Sequence, residues 1–242
     1  MRLKIGLNLT KNYSINFNEV KRSKESIKFI IIHFTGMKKE SDAINKLCDS
    51  NSKVSSHYFI KNNGSLLQLV PDLYEAWHAG KSCWKNFNSL NKYSIGIEIN
   101  NPGHDHGYKN FKNHQIKTLK KLLKYLITKY RINSENVLGH SDIAPNRKKD
   151  PGEKFPWREL SKNKLCIWHK LNEKKLINLR NQKISLKEED SFIKNLHKIG
   201  YSRKKKYRYF IIKAFQRRFR QNLINGKIDE ECFLISKNII KY

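Results

Sequence analysis

The chain has 242 residues, 50 Lys and Arg against 21 Asp and Glu, a formal net charge of +29 and 38% hydrophobic residues. That length suits one large domain or a medium domain with a smaller one; the hydrophobic share excludes wholesale disorder, and no apolar run reaches the roughly 20 residues of a membrane span. The charge suits a polyanionic partner such as nucleic acid, an anionic membrane surface or an acidic wall polymer, but lysine is spread along the whole chain, as a compositional bias would also leave it.

The opening MRLKIGLNLTKNYSINF is positively charged but lacks the apolar stretch of a secretory signal. KFIIIHFTG (28–36) is a β-branched run ended by glycine and predicts a buried strand. Residues 41–48 predict a short helix, and HYFIKNNGSLLQLV (57–70) two apolar runs about an Asn-Asn-Gly turn, hence a hairpin. YSIGIEIN (93–100) alternates with period two, and residues 114–130 set Leu119, Leu122, Leu123, Leu126 and Ile127 at helical spacing with lysines opposite. VLGH (137–140) is a short strand. Strands and helices mixed in this way predict an α/β or α+β catalytic domain over residues 1–160. Residues 161–187 read as a helical linker. Three further helical patterns, 188–199, 207–221 and 229–241, predict a small three-helix domain over 188–242, too small for much core of its own and so docked on the first.

Four cysteines, Cys48, Cys83, Cys166 and Cys232, stand far apart with no C-x-x-C pair, which excludes zinc-ribbon spacing and marks no disulfide framework. GHSDIAPNRKKDPGEKFPW (139–157) is different. It sets His140 and Asp150 ten residues apart on a segment stiffened by Pro145, Pro151 and Pro156. A catalytic zinc takes three protein ligands and leaves a fourth position to water; His33, at the end of the KFIIIHF strand, is the best third candidate, although a lone strand-end histidine is usually a packed or solvated side chain. Glu98 would emerge beside such a site between flanking isoleucines, suited to acid/base work, and Lys148 could set an ammonium beside a developing oxyanion. Taken singly, Glu98 also reads as a strand-surface charge and Lys148 as one of many solvated lysines. His104 and His106 in GHDHG read as a solvated loop near the groove rim.

GHSDIAPNRKKDPG with FPW strongly resembles the zinc-binding signature of the type 2 N-acetylmuramoyl-L-alanine amidases. The resemblance extends in order through FIIIHFTG, SSHYFIKNNGSLLQLVP, EAWHAGKSCW and YSIGIEINNPG, spanning 28–160. It implies a central mixed β-sheet flanked by helices with a zinc groove, and one Zn2+ per chain on His33, His140 and Asp150. It further implies Glu98 as the acidic catalytic residue, Lys148 as the transition-state lysine, and His57, His78 and Trp84 as groove-lining, substrate-binding residues. The implied reaction is hydrolysis of the amide between N-acetylmuramic acid, or its 1,6-anhydro form, and the L-Ala of the stem peptide. The C-terminal helices resemble, more loosely, a peptidoglycan-binding domain whose last helix follows a G-x-[IV]-D turn, here Gly226–Asp229; this implies a role in engaging substrate and not in chemistry.

The alternative from the binding class is a non-catalytic peptidoglycan recognition protein of the same fold; its relatives lack a metal ligand, whereas every candidate is present here. The expected partner is peptidoglycan or a muropeptide, with no specific nucleic acid, no transmembrane segment and a monomer as the working state. The substrate implies the bacterial cell envelope or periplasm, and the missing apolar leader leaves the cytoplasm open.

Overall fold

The computed structural model describes residues 2–3 and 7–241, with side chains from Leu9 onward. In chain order the strands are β1 (Arg2–Leu3), β2 (Leu7–Lys11), β3 (Phe17–Asn18), β4 (Phe29–Phe34), β5 (Tyr58–Ile60), β6 (Leu66–Gln68), β7 (Glu75–Ala76), β8 (Cys83–Trp84), β9 (Phe87–Asn88), β10 (Ser94–Ile99) and β11 (Val137–Gly139). The helices are α1 (Glu40–Cys48), α2 (Asn113–Tyr130), α3 (His140–Ile143), α4 (Trp157–Lys162), α5 (Glu173–Ile177), α6 (Leu186–Ile199), α7 (Arg208–Phe219) and α8 (Glu230–Ile239). A mixed seven-stranded sheet in the order β1-β2-β6-β5-β10-β4-β11 forms the centre, as expected of the α/β class.

The strands that carry chemistry are the most hydrophobic ones. β4 lies between β10 and β11, parallel to both, and Phe29 to Ile32 are buried almost completely; an interior parallel strand has helices over both faces and therefore reads as a continuous apolar run. The predicted hairpin forms as β5 and β6, paired antiparallel. Period two then separates its residues. Phe59 and Leu67 meet Ala43 and Leu47 of α1, whereas Tyr58, Ile60 and Leu66 join the opposite core, where α2 contributes Leu119, Leu122, Leu123 and Leu126.

The three C-terminal helices form close to their expected spans, but they do not make a core apart. Phe192, Leu196, Phe215 and Phe219 belong to the same buried cluster as the central sheet and α2. The presumed linker also differs from expectation: only α5 within it is helical after α4, and Leu165 to His169 are buried. Its LCIWH stretch is apolar enough to be drawn into the core, a signal masked by the lysines around it. Gly200 shows how close the docking is. Its φ of 136° lies in the region that favours glycine, and a Cβ there would stand 2.5 Å from Cε2 of Trp84.

Candidate metal and catalytic site

Register alone brings the first three residues together. In the β4–β10 pairing Glu98 stands directly opposite His33, and Gly139 of β11 stands opposite Ile32, so His140 follows at the level of His33. All three lie at the carboxyl ends of adjacent parallel strands, where open α/β sheets commonly place their ligands. Asp150 then closes the cluster from the far end of the proline-rich loop, held by a Ser141 N–H donating to the Asp150 carbonyl at 2.9 Å.

Nδ1 of His33 lies 2.9 Å from Nδ1 of His140 and 3.0 Å from Oδ2 of Asp150, and the last two atoms are 3.1 Å apart. The hydrogen bonds behind the rings fix what these atoms carry. Ser94 gives its hydroxyl proton to the Leu90 carbonyl at 2.6 Å, so at 3.1 Å it accepts from Nε2–H of His78. Nδ1 of His78 must then accept from Nε2–H of His33 at 3.0 Å. His140 Nε2 faces the Ala79 carbonyl at 3.2 Å, a partner that only accepts, and this lies nearer than the donor Nη2 of Arg147 at 3.4 Å. Both Nδ1 atoms therefore aim lone pairs at the centre. Burial, with His140 beside it, holds the His33 pKa down to about 4. Burial opposes the charge of Asp150, but positive charge facing it, a proton shared with His140 or His33 or a cation in its place, keeps its carboxyl well below the usual range.

Three buried lone-pair donors facing one another repel unless a cation sits among them. Zinc ligands about 2.0–2.2 Å from the ion at tetrahedral angles lie about 3.3 Å apart, close to this triangle. Among the described residues this is the one group of His, Cys, Asp and Glu arranged to hold a metal. The donor set, two imidazoles and a carboxylate, is one that catalytic zinc accepts.

A cleft opens over the cluster, lined by His33, His78, Glu98, His140 and Lys148 together with Met37, Lys46, Leu47 and Trp77. A second hollow continues past Lys148 along Thr35, His104, Arg147 and Lys149. Oε2 of Glu98 is buried without a hydrogen-bond partner. Burial, together with the charge of Asp150, pushes its pKa up to about 8 against the pull of Lys148. Such a carboxyl can hold or release a proton near neutral pH.

Of the three residues expected to line the groove, only His78 reaches the cleft, and it serves mainly as the partner that orients His33. Its ring packs on Gly96, where a Cβ would come within 2.5 Å of it. His57 is wholly buried: Nδ1 accepts from the Gly96 N–H and Nε2 donates to the Tyr74 carbonyl. Trp84 is 2% exposed and packs edge-on to Tyr201 at 4.8 Å. Neither is part of the cleft wall, because both sit inside the core that the sequence alone could not outline. His104 pairs with Glu153 at 3.0 Å on the rim. Sequence reasoning passed over Asp142, whose Oδ2 accepts from the Gly139 N–H at 2.8 Å and so caps the turn carrying His140.

This fold and site meet their match in one family. Residues 23–153 fit the family model described as N-acetylmuramoyl-L-alanine amidase, and the chain belongs to that family of hydrolases. Among its members, AmiD of Escherichia coli strain K12 is 34% identical over 231 residues, covering 89% of this chain and 83% of AmiD. AmpD of Citrobacter freundii, a 1,6-anhydro-N-acetylmuramyl-L-alanine amidase, is 39% identical over 105 residues, 43% of this chain and 54% of AmpD. Among solved structures, AmiD from E. coli with its substrate anhydro-N-acetylmuramic acid-L-Ala-D-γ-Glu-L-Lys superposes with a TM-score of 0.78 at 32% identity, covering 93% of this chain and 91% of that one. AmpDh3 of Pseudomonas aeruginosa in complex with anhydromuramic pentapeptide gives 0.77 at 27% identity, with 93% and 96% covered.

Proposed function

We propose that the chain is a zinc-dependent amidase that hydrolyses the amide between N-acetylmuramic acid, in intact peptidoglycan or in 1,6-anhydro-muropeptides, and the L-Ala of the stem peptide. The convergence of two imidazole lone pairs and one carboxylate oxygen at the floor of an open cleft carries this reading. One Zn2+ per chain on His33, His140 and Asp150 would polarise the scissile carbonyl and make water acidic. Glu98, with its unpaired oxygen, takes a proton from the attacking water. It then delivers that proton to the alanine nitrogen as the carbon–nitrogen bond breaks, leaving a free amine and a lactyl carboxylic acid that releases its remaining proton to solvent. Lys148 sets its ammonium toward the oxyanion that forms between these steps.

Lys46, Arg147, Lys148 and Lys149 around the cleft suit the carboxylates of a stem peptide. The Gly226–Asp229 turn and the exposed basic residues between Arg203 and Arg208 support a share for the C-terminal helices in holding the polymer. The compartment follows from the substrate: the envelope for the intact polymer, the cytoplasm for recycled fragments. Mass spectrometry of digests of sacculi and of anhydro-muropeptides tests the reaction. The expected products are free stem peptides and peptide-free sugars, lost on adding a chelator and regained with zinc. No cleavage of either substrate by the zinc-loaded protein would favour the binding-only reading.

A further inference from the structure

The helix that carries His140 cannot hold itself in place. α3 is four residues long, far below the length at which a helix is stable alone, and Gly139 before it has no side chain to cap the free N–H groups. Asp142 does this by reaching back to the Gly139 N–H. Asp142 is itself fixed from outside the catalytic region. Tyr201 donates its hydroxyl to Oδ1 at 2.7 Å, and Arg218 donates from Nη1 to Oδ2 at 2.6 Å. Arg218 also donates from Nη2 to the Val137 carbonyl at 3.0 Å, so a single guanidinium spans the strand before His140 and the turn after it. The same guanidinium stacks 4.4 Å from the ring of Trp157. Asp142, Tyr201 and Arg218 are each 1–2% exposed.

We propose that the C-terminal helices belong to the scaffold of the metal centre: Arg218 and Tyr201 are positioning residues that hold Asp142 and, through it, the direction of the His140 lone pair. This rests on the metal-binding reading above. Groups that orient metal ligands from behind commonly govern affinity by about 10- to 100-fold. A guanidinium suits the task because its fixed fork presents two donors to two acceptors at once. The bond to Val137 and the bond to Asp142 come from different nitrogens of that fork, a geometry that a lysine cannot reproduce.

The test compares the wild type, Tyr201→Phe, Arg218→Lys and a control, Phe192→Ala. The control loosens the same helices, since Phe192 packs on Phe215 with ring centroids 5.3 Å apart and takes no part in the hydrogen bonds to Asp142. For each, zinc affinity is measured by competition with a chromophoric chelator, the Co2+-loaded protein by its visible spectrum, and folding by thermal melting. Tyr201→Phe, which removes only a hydroxyl, and Arg218→Lys should melt cooperatively, lose about 10-fold or more in zinc affinity and change the cobalt spectrum. Phe192→Ala should melt earlier yet keep zinc affinity within about twofold and keep the wild-type spectrum. Folded Tyr201→Phe and Arg218→Lys proteins with wild-type affinity and spectrum would overturn the proposal, as would an equal loss in Phe192→Ala. Failure of the wild type to bind zinc would instead overturn the metal-binding reading itself, and this one with it.

Discussion

Glu98 and Lys148 both line the cleft, and the opposite roles proposed for them fit their environments. The carboxyl is buried beside the charge of Asp150 and is driven toward its neutral form. Lys148 is half-buried on the loop, at the junction of the two hollows. Glu98→Gln keeps the shape and leaves the three metal donors untouched, so zinc content should stay at the wild-type level while kcat falls by at least about 100-fold, the usual scale for a positioned acid/base. Lys148→Ala should also keep zinc and lower kcat by about 100-fold or more through lost oxyanion stabilisation. Near-normal kcat on a muropeptide in either variant would remove the role assigned to that residue. At this scale the convergence of His33, His140, Asp150, Glu98 and Lys148 was legible because motif spacing and residue chemistry mark these residues. The contribution of His78 was less so: its value lies in passing a hydrogen bond to His33, and that depends on Ser94 and Leu90 being beneath it.

At the level of elements, β4, β10, the hairpin and α2 could be read from periodicity, since each buries a continuous or regularly spaced apolar set. β2 could not. Its short LNLTK sequence mixes polar residues into a strand one place in from the sheet edge, between β1 and β6, and it pairs in parallel with β6. His57 belongs to this scale too, because it joins the start of β5 to β10 through the Gly96 N–H. Burial and the facing Arg22 hold its pKa down to about 3, against the opposing pull of the Tyr74 carbonyl and Asp72. The folded value lies below the ordinary 6.5 of an unfolded histidine, so the unfolded chain takes up the proton first. Stability from the neutral ring is therefore complete above about pH 6.5 and drains away as the pH falls toward 3, by up to about 1.4 kcal/mol per pH unit. Urea unfolding of the metal-free protein between pH 7.5 and 4.5 should show this decline, and a His57→Gln variant should show less of it. An identical decline in that variant would place the sensitivity elsewhere.

Over the whole molecule, the C-terminal helices were expected to dock on the first domain, and the arginines in AFQRRFRQ show how closely they do. They are not solvated. Arg217, Arg218 and Arg220 are all buried, and Arg220 pairs with Asp229 and Glu231 while Arg218 holds Asp142. Nothing in a single sequence says which carboxylate a distant arginine will meet. A chain ending at Lys183 would leave Asp142 without two of its three donors and uncover the face of Trp84 that Gly200 and Tyr201 cover. Exposed apolar surface of that kind drives association. The truncated protein should therefore aggregate, or melt well below the full chain and bind zinc more weakly. A soluble truncated protein with wild-type melting temperature and zinc content would show that the helices are an appendage after all.

The claim on which the rest depends is that His33, His140 and Asp150 share one metal ion. Elemental analysis of the purified chain and of a His140→Ala variant, both dialysed extensively against metal-free buffer, tests it most directly. The account predicts close to one zinc per wild-type chain and little or none in the variant, because two remaining protein ligands fall short of the three that a catalytic zinc requires. Full zinc occupancy in the variant, or none in the wild type, would contradict it.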